Sequence, residues 1–174
     1  MAISPQDQEK WLQRDIPHRV RACLAFTKRL DDLIGLPKWP ANTRAEQIAR
    51  RCATDAIWEG RLCAMRWLIE FVGLTEDKHH KPIVRNKTKA NDFRIDDLPG
   101  GVLIRPSSRE AQTLAPVWKG GTQGSSHPTH LSNHPPVNNH ELAAALEIIV
   151  DHLDKTIYAS APQKVIDLAL QPPP

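Results

Sequence analysis

Four of the eight histidines, His127, His130, His134 and His140, fall within 14 residues of one another. They sit in residues 119–140, KGGTQGSSHPTHLSNHPPVNNH. Imidazole nitrogens bind zinc and related divalent metals, and three protein ligands plus a water make an open catalytic site. These four side chains are therefore the candidate metal ligands, with a divalent cation as the candidate cofactor. The spacing H-x2-H-x3-H lies in a proline-rich stretch, not on a helix where i and i+4 share a face. Neither a cysteine nor the glutamate of a helical H-E-x-x-H motif accompanies it. The plainer account is a polar surface loop whose histidines pack on prolines or cap helices.

The same stretch offers Ser126 and His127 as a candidate nucleophile and base, and Gln123, Ser126 and His127 as residues lining a small-molecule site. A nucleophilic serine needs a base in hydrogen-bond reach and an oxyanion hole. The order Gln123-Gly124-Ser125-Ser126-His127 lacks the second glycine of G-x-S-x-G, so serines bonding their own turn are the competing reading. A structureless loop over 120–137 is nonetheless long for a compact domain, and such loops often carry function.

A second cluster is basic. Lys78, Lys81, Arg85, Lys87, Lys89 and Arg94 lie close together and are the candidate phosphate contacts of a nucleic-acid interface. Phe93 is the one aromatic among them, whereas stacking surfaces carry several. A solvated connector explains the same run. Asp55 and Glu59 are i,i+4, but no Glu-x-x-His accompanies them as a di-metal bundle requires.

Helices must position these groups. Ser4-Pro5 reads as a helix start. Pro17 separates a short helix from a longer one, whose buried stripe is Ile16, Val20, Cys23, Thr27, Leu30 and Ile34. Thr43 and Glu46 form a capping box for a second long helix, with Ile48, Cys52, Leu62, Met65, Ile69 and Val72 inward and Gly73-Leu74 ending it. Gly60 inside it suggests a closely packed neighbour. Phe93 to Ile104, turning at Pro99-Gly100-Gly101, predicts a β-hairpin insert at about 91–105. Ser107 and Glu110 cap a shorter helix that Pro116 kinks and Gly120-Gly121 ends. Asn138 and Glu141 cap the third long helix, with Val137 and Leu142 as its staple and a stripe of Leu142, Leu146, Ile149, Leu153 and Ile157. A short helix and frayed tail occupy 161–174.

The expectation is a mainly all-α fold: one domain over 1–160, an antiparallel bundle of three long and one or two short helices with a small hairpin insert. Apolar residues make up 40% and charged residues 25% of the 174, which is ordinary for a globular chain. No stretch approaches the roughly 20 apolar residues of a membrane helix, and no secretory signal is visible. Cys52 and Cys63, roughly 16 Å apart along a helix, cannot pair. Three cysteines in apolar stripes read as buried thiols of a reducing, cytoplasmic compartment.

In outline, a small helical bundle with a polar loop before its last long helix resembles the HEPN group of helical nucleases and nucleotide-binding proteins. Those nucleases carry an arginine, four to six residues, then a histidine. Here Gln123 stands four before His127, and Arg14 precedes His18 with three residues between. The resemblance implies nucleic-acid association on that architecture without the nuclease motif. With no strong catalytic motif, the first expectation is a binding or regulatory module whose amphipathic helices serve a protein partner or a homo-oligomer.

Overall fold

The computed structural model describes residues 3–24, 43–77, 79, 81–87, 93–126 and 137–171, leaving aside the side chains of residues 50 and 122–126. The fold is mostly helical with a small two-stranded antiparallel sheet. The elements are α1 (Pro5–Lys10), a π-helical turn (Trp11–Asp15), α2 (Ile16–Leu24), α3 (Arg44–Phe71), β1 (Leu74–Glu76), β2 (Pro82–Val84), a 3-10 turn (Ile95–Asp97), α4 (Arg109–Ser126), α5 (Asn139–Lys155) and α6 (Val165–Leu170).

Pro17 does not separate two helices. Its ring clashes with the carbonyl four residues earlier and it has no N–H to donate. The chain absorbs this by widening to i→i+5 spacing just upstream, where Ile16 N–H bonds Trp11 O. Helix therefore runs unbroken from Pro5 to Leu24. Ile16, Val20 and Cys23 are fully buried, as their spacing predicts. Thr27, Leu30 and Ile34 lie outside the described residues.

The caps follow side-chain chemistry. The Ser4 hydroxyl accepts from Asp7 N–H, and Thr43–Glu46 and Asn138–Glu141 both close full capping boxes. At α4 the cap is Ser108, not Ser107: its hydroxyl accepts from Ala111 N–H at 3.2 Å. After α3, Gly73 takes φ +92°, a left-handed turn that an L side chain rarely adopts.

Within α3 only the C-terminal half is buried. Leu62, Met65, Leu68, Ile69 and Val72 enter the core, whereas Ile48 is 55% exposed and Cys52 and Cys63 face out. At 3.6 residues per turn the core stripe extends back from Met65 through Trp58 and Thr54, which puts Ile48 about a quarter turn and Cys52 about 140° away from it. Only Cys23 fits the expectation of buried thiols. Gly60 likewise faces open space, with nothing within 4 Å of where a Cβ would stand. Gly121 is the glycine at which α4 packs closely on α3. A Cβ there would lie 2.9 Å from both the Leu62 carbonyl oxygen and Arg66 Cβ. Gly120-Gly121 therefore does not end α4; the helix passes through both glycines and Pro116 to Ser126.

The sheet lies earlier than the expected hairpin at 91–105. β1 and β2 pair with Leu74 opposite Val84 and Glu76 opposite Pro82. Asp77 closes the turn, its Oδ1 accepting N–H bonds from His79 at 2.8 Å and Lys81 at 2.9 Å. Residues 93–105 hold no strand. Arg94 N–H bonds the Asp97 carboxylate and winds Ile95–Asp97 into a 3-10 turn. Ile104 N–H bonds Val72 O, so this segment runs along the end of α3. Ile95, Leu98 and Ile104 join the core, which explains why an alternating pattern here did not make a hairpin.

One apolar cluster gathers these faces, with an aromatic group at its edge. Trp11 stacks on Trp67 at 5.6 Å and Trp67 on Phe71 at 5.2 Å, while Phe93 lies 4.4 Å from Trp11. The two ends of the described chain also meet. Arg21 donates to the carbonyls of Ala169 and Gln171 at the end of α6, and Tyr158 Oη donates to Leu12 O at 2.6 Å.

Two outcomes are expected. Burial pushes the Cys23 thiol up to about 12, against the opposing charges of Arg61 and Arg19, so in dilute solution, where the chain is monomeric, a thiol reagent should label Cys52 and Cys63 quickly and Cys23 only on unfolding. Fast labelling of all three would show that α2 is not seated. In urea melts, Gly60→Ala should raise stability by about 1 kcal/mol, and Gly121→Val should lower it by about 1–3 kcal/mol through overpacking. Equal effects at the two glycines would contradict the contact at Gly121.

Candidate functional site

Among the described residues, three surfaces gather side chains able to meet a ligand: a cleft beside α5, an ion-pair group on α3, and the outward face of α3.

The cleft, of about 540 Å3, opens between the extended residues 103–105, the start of α4 and one face of α5. Glu147, Ile148, Asp151, His152 and Lys155 share that face because they follow helical spacing. Leu103, Ile104, Arg105, Ser108 and Glu110 form the opposite wall. A contact of 2.6 Å between His152 Nε2 and Val102 O ties the walls together. Asp151 accepts from Lys155 at 2.7 Å. A backbone N–H bond, then the Ser108 hydroxyl, holds the Glu110 carboxyl below its usual range, with Arg109 and His152 adding to the effect.

The ion-pair group centres on Glu70. Its Oε1 accepts from Arg66 Nε at 2.8 Å and Trp118 Nε1 at 3.1 Å, and Arg85 Nε lies 3.7 Å from its Oε2. Arg66 also sits over the Trp118 ring at 5.5 Å. Nearby, Lys87 pairs with Asp97, and Arg94 donates to Asp96 at 2.7 Å and to Arg85 O at 2.6 Å. Burial opposes ionisation of Asp97, yet the Lys87 ammonium and the Arg94 backbone N–H hold its carboxyl below the usual range.

These contacts decide where the expected site residues stand. Of the basic candidates, Arg85, Lys87 and Arg94 each face an acidic side chain, so part of their charge is already compensated within the chain. Lys81 is exposed beside the β-turn, and Lys78 and Lys89 lie outside the described residues. Of the histidines, His140 is exposed in the first turn of α5, and His127, His130 and His134 lie outside the described residues. Gln123 and Ser126 belong to the last turn of α4 by backbone, not to a loop from residue 120. Among the described residues no three His, Cys, Asp or Glu side chains are placed to hold a metal.

Sequence reasoning takes Arg61 as a possible extension of the basic patch, whereas it is only 2% exposed in the apolar core. Its Nη1 donates to Asn139 Oδ1 at 2.7 Å, and burial lowers its pKa. It occupies the core stripe of α3, seven residues before Leu68, and that spacing was the available signal. The cleft was missed, since its walls come from segments with no shared motif.

On the outward side of α3, Ala45, Ala49, Cys52, Ala56, Gly60 and Cys63 are all exposed and recur at spacings of three and four. Ile48 lies beside them. The exposed charges of α3 flank this face in order along the helix: Arg44 and Arg51 come first, Asp55 and Glu59 after, with Arg51 and Asp55 4.0 Å apart.

No known family model, characterised protein or solved structure matches the chain.

Replacing Glu70 by Gln keeps its shape and removes the charge shared by Arg66, Arg85 and Trp118. The expected loss is about 1.5–3 kcal/mol in a urea melt, the range for hydrogen bonds to charged groups; an unchanged midpoint would show that the group is only a surface arrangement. Asp77, Asp97 and Glu110 all have folded pKa values below their usual ones. Their contribution is therefore complete above the ordinary carboxylate range of about 4 and is lost as pH falls through the lower folded values. Thermal stability should hold down to about pH 5 and drop below about pH 4, less steeply in Asp97→Asn; the same slope in that variant would remove Asp97 from the account.

Proposed function

We propose that this chain is a non-catalytic binding module of the cytoplasm, built as an antiparallel helical bundle, and that it works as a homodimer joined through the outward face of α3. The observation that carries this reading is the exposed face itself. A helix turned to water ordinarily shows charged and polar side chains there. Here small and apolar side chains hold the centre of the face from Ala45 to Cys63, a profile that permits close approach of a second helix.

The charge order favours a second copy, antiparallel to the first. A two-fold axis near Cys52 lays Arg44 of one helix against Glu59 of the other, while Arg51 and Asp55 stand 4.0 Å apart within each helix. A C2 interface is self-complementary in this way. A parallel pairing would set like charges together and gain nothing from their order.

The second and third readings, a metal-dependent or hydrolytic centre over 123–140 and nucleic-acid association through the basic segment, gain no comparable support. Three of the four clustered histidines stand outside the described residues, and the basic side chains beside Glu70, Asp96 and Asp97 have acidic neighbours.

Analytical ultracentrifugation across a concentration series tests the proposal, with a short bismaleimide as a second probe. The expected result is a monomer–dimer equilibrium, cross-linked through Cys52 and lost in Cys52→Ser. Two Cys63 residues would stand roughly 33 Å apart in the antiparallel arrangement, by helical rise, and should not cross-link. Ala56→Arg should weaken the dimer at least about tenfold, or 1.4 kcal/mol, with the helical circular dichroism intact. A strict monomer, or cross-linking through Cys63, would overturn the reading.

A further inference from the structure

We infer that the cleft between residues 103–110 and α5 binds a free zwitterionic amino acid with an apolar side chain. This inference is independent of the dimer, which uses a different helix.

Size comes first. A volume of about 540 Å3 falls in the range of small-molecule sites, roughly 300–1,000 Å3. The walls are fixed by their own contacts. His152 Nε2 meets Val102 O across the cleft, Asp151 accepts from Lys155 within α5, and Ser108 caps α4.

Two charges remain. Among the described residues, neither the Arg105 side chain on one wall nor the Glu147 side chain on the other takes part in a hydrogen bond or ion pair. A lone surface charge is ordinary. These two are distinguished by bordering the same cleft, with Leu103, Ile104 and Ile148 also lining it. Ile104 is buried, and Leu103 and Ile148 are half-buried against the core.

That arrangement sets the ligand chemistry. A guanidinium fork takes a carboxylate through two parallel N–H bonds. The Glu147 carboxylate takes an ammonium group, and the apolar wall takes an aliphatic side chain. A plain acid leaves Glu147 unmatched, and a plain amine leaves Arg105 unmatched. A zwitterion satisfies both without adding net charge to a cleft that holds Arg105 and Lys155 against Glu110, Glu147 and Asp151.

The test is an amide-resolved NMR titration of the full chain with L-leucine, 4-methylpentanoate and 3-methylbutylamine. L-leucine should give saturable shifts centred on Leu103, Arg105, Glu147, Ile148 and His152. Each of the two monofunctional compounds should bind at least about tenfold more weakly. Arg105→Gln and Glu147→Gln should each weaken L-leucine by a similar factor while shifts elsewhere stay native, which separates lost binding from lost folding. Absent shifts, equal binding of either monofunctional compound, or unchanged affinity in both variants would overturn the inference. Dimerisation is read separately by sedimentation, so failure here leaves that proposal standing.

Discussion

At Gly121 the backbone of α4 comes against that of α3, and a single added methyl carbon would press on the Leu62 carbonyl oxygen. Much of the structure depends on that approach. With the two helices this near, Leu114 and Val117 on α4 reach the same apolar cluster as Leu62, Met65 and Ile69 on α3. The end of α3 then supplies a backbone edge for residues 101–105, and those residues become a wall of the cleft. A bulkier contact would move α4 outward and change every later element.

Sequence showed local chemistry well and long-range contact poorly. The capping boxes at Thr43 and Asn138 and the left-handed Gly73 were legible, since each is settled within a few residues. The stripe on α5 was equally plain. Gly120-Gly121 was read as a stop because glycine weakens helices locally, whereas its actual role depends on Leu62, some sixty positions away. The same limit explains the misplaced hairpin. Pro99-Gly100-Gly101 does turn the chain, but Ile95, Leu98 and Ile104 are drawn to the core instead of pairing across it. Ile48 and Cys52 were assigned inward by joining two apolar runs whose phases differ by part of a helical turn.

The candidate sites show the same division. A run of lysines and arginines looks like a phosphate-binding surface when the acids that answer it, Glu70, Asp96 and Asp97, are not yet known to be neighbours. The cleft has the converse history: Arg105 and Glu147 are unremarkable in sequence, and only the fold brings them to opposite walls. Clusters of similar residues are easy to see in a sequence, while opposed pairs are created by packing.

The clasp between the chain's two ends has a consequence for how the protein is made. Ile16, Val20 and Cys23 are among its most deeply buried side chains, yet α6 and Arg21's carbonyl partners near it are about 150 residues away. Loop closure of that length is paid for late in folding. On the ribosome, α3 can cover part of the apolar face of α2 early, but the part that α6 covers stays open until α6 has been made. That side of the core is therefore completed by a contact of long sequence separation, which forms only after both helices exist.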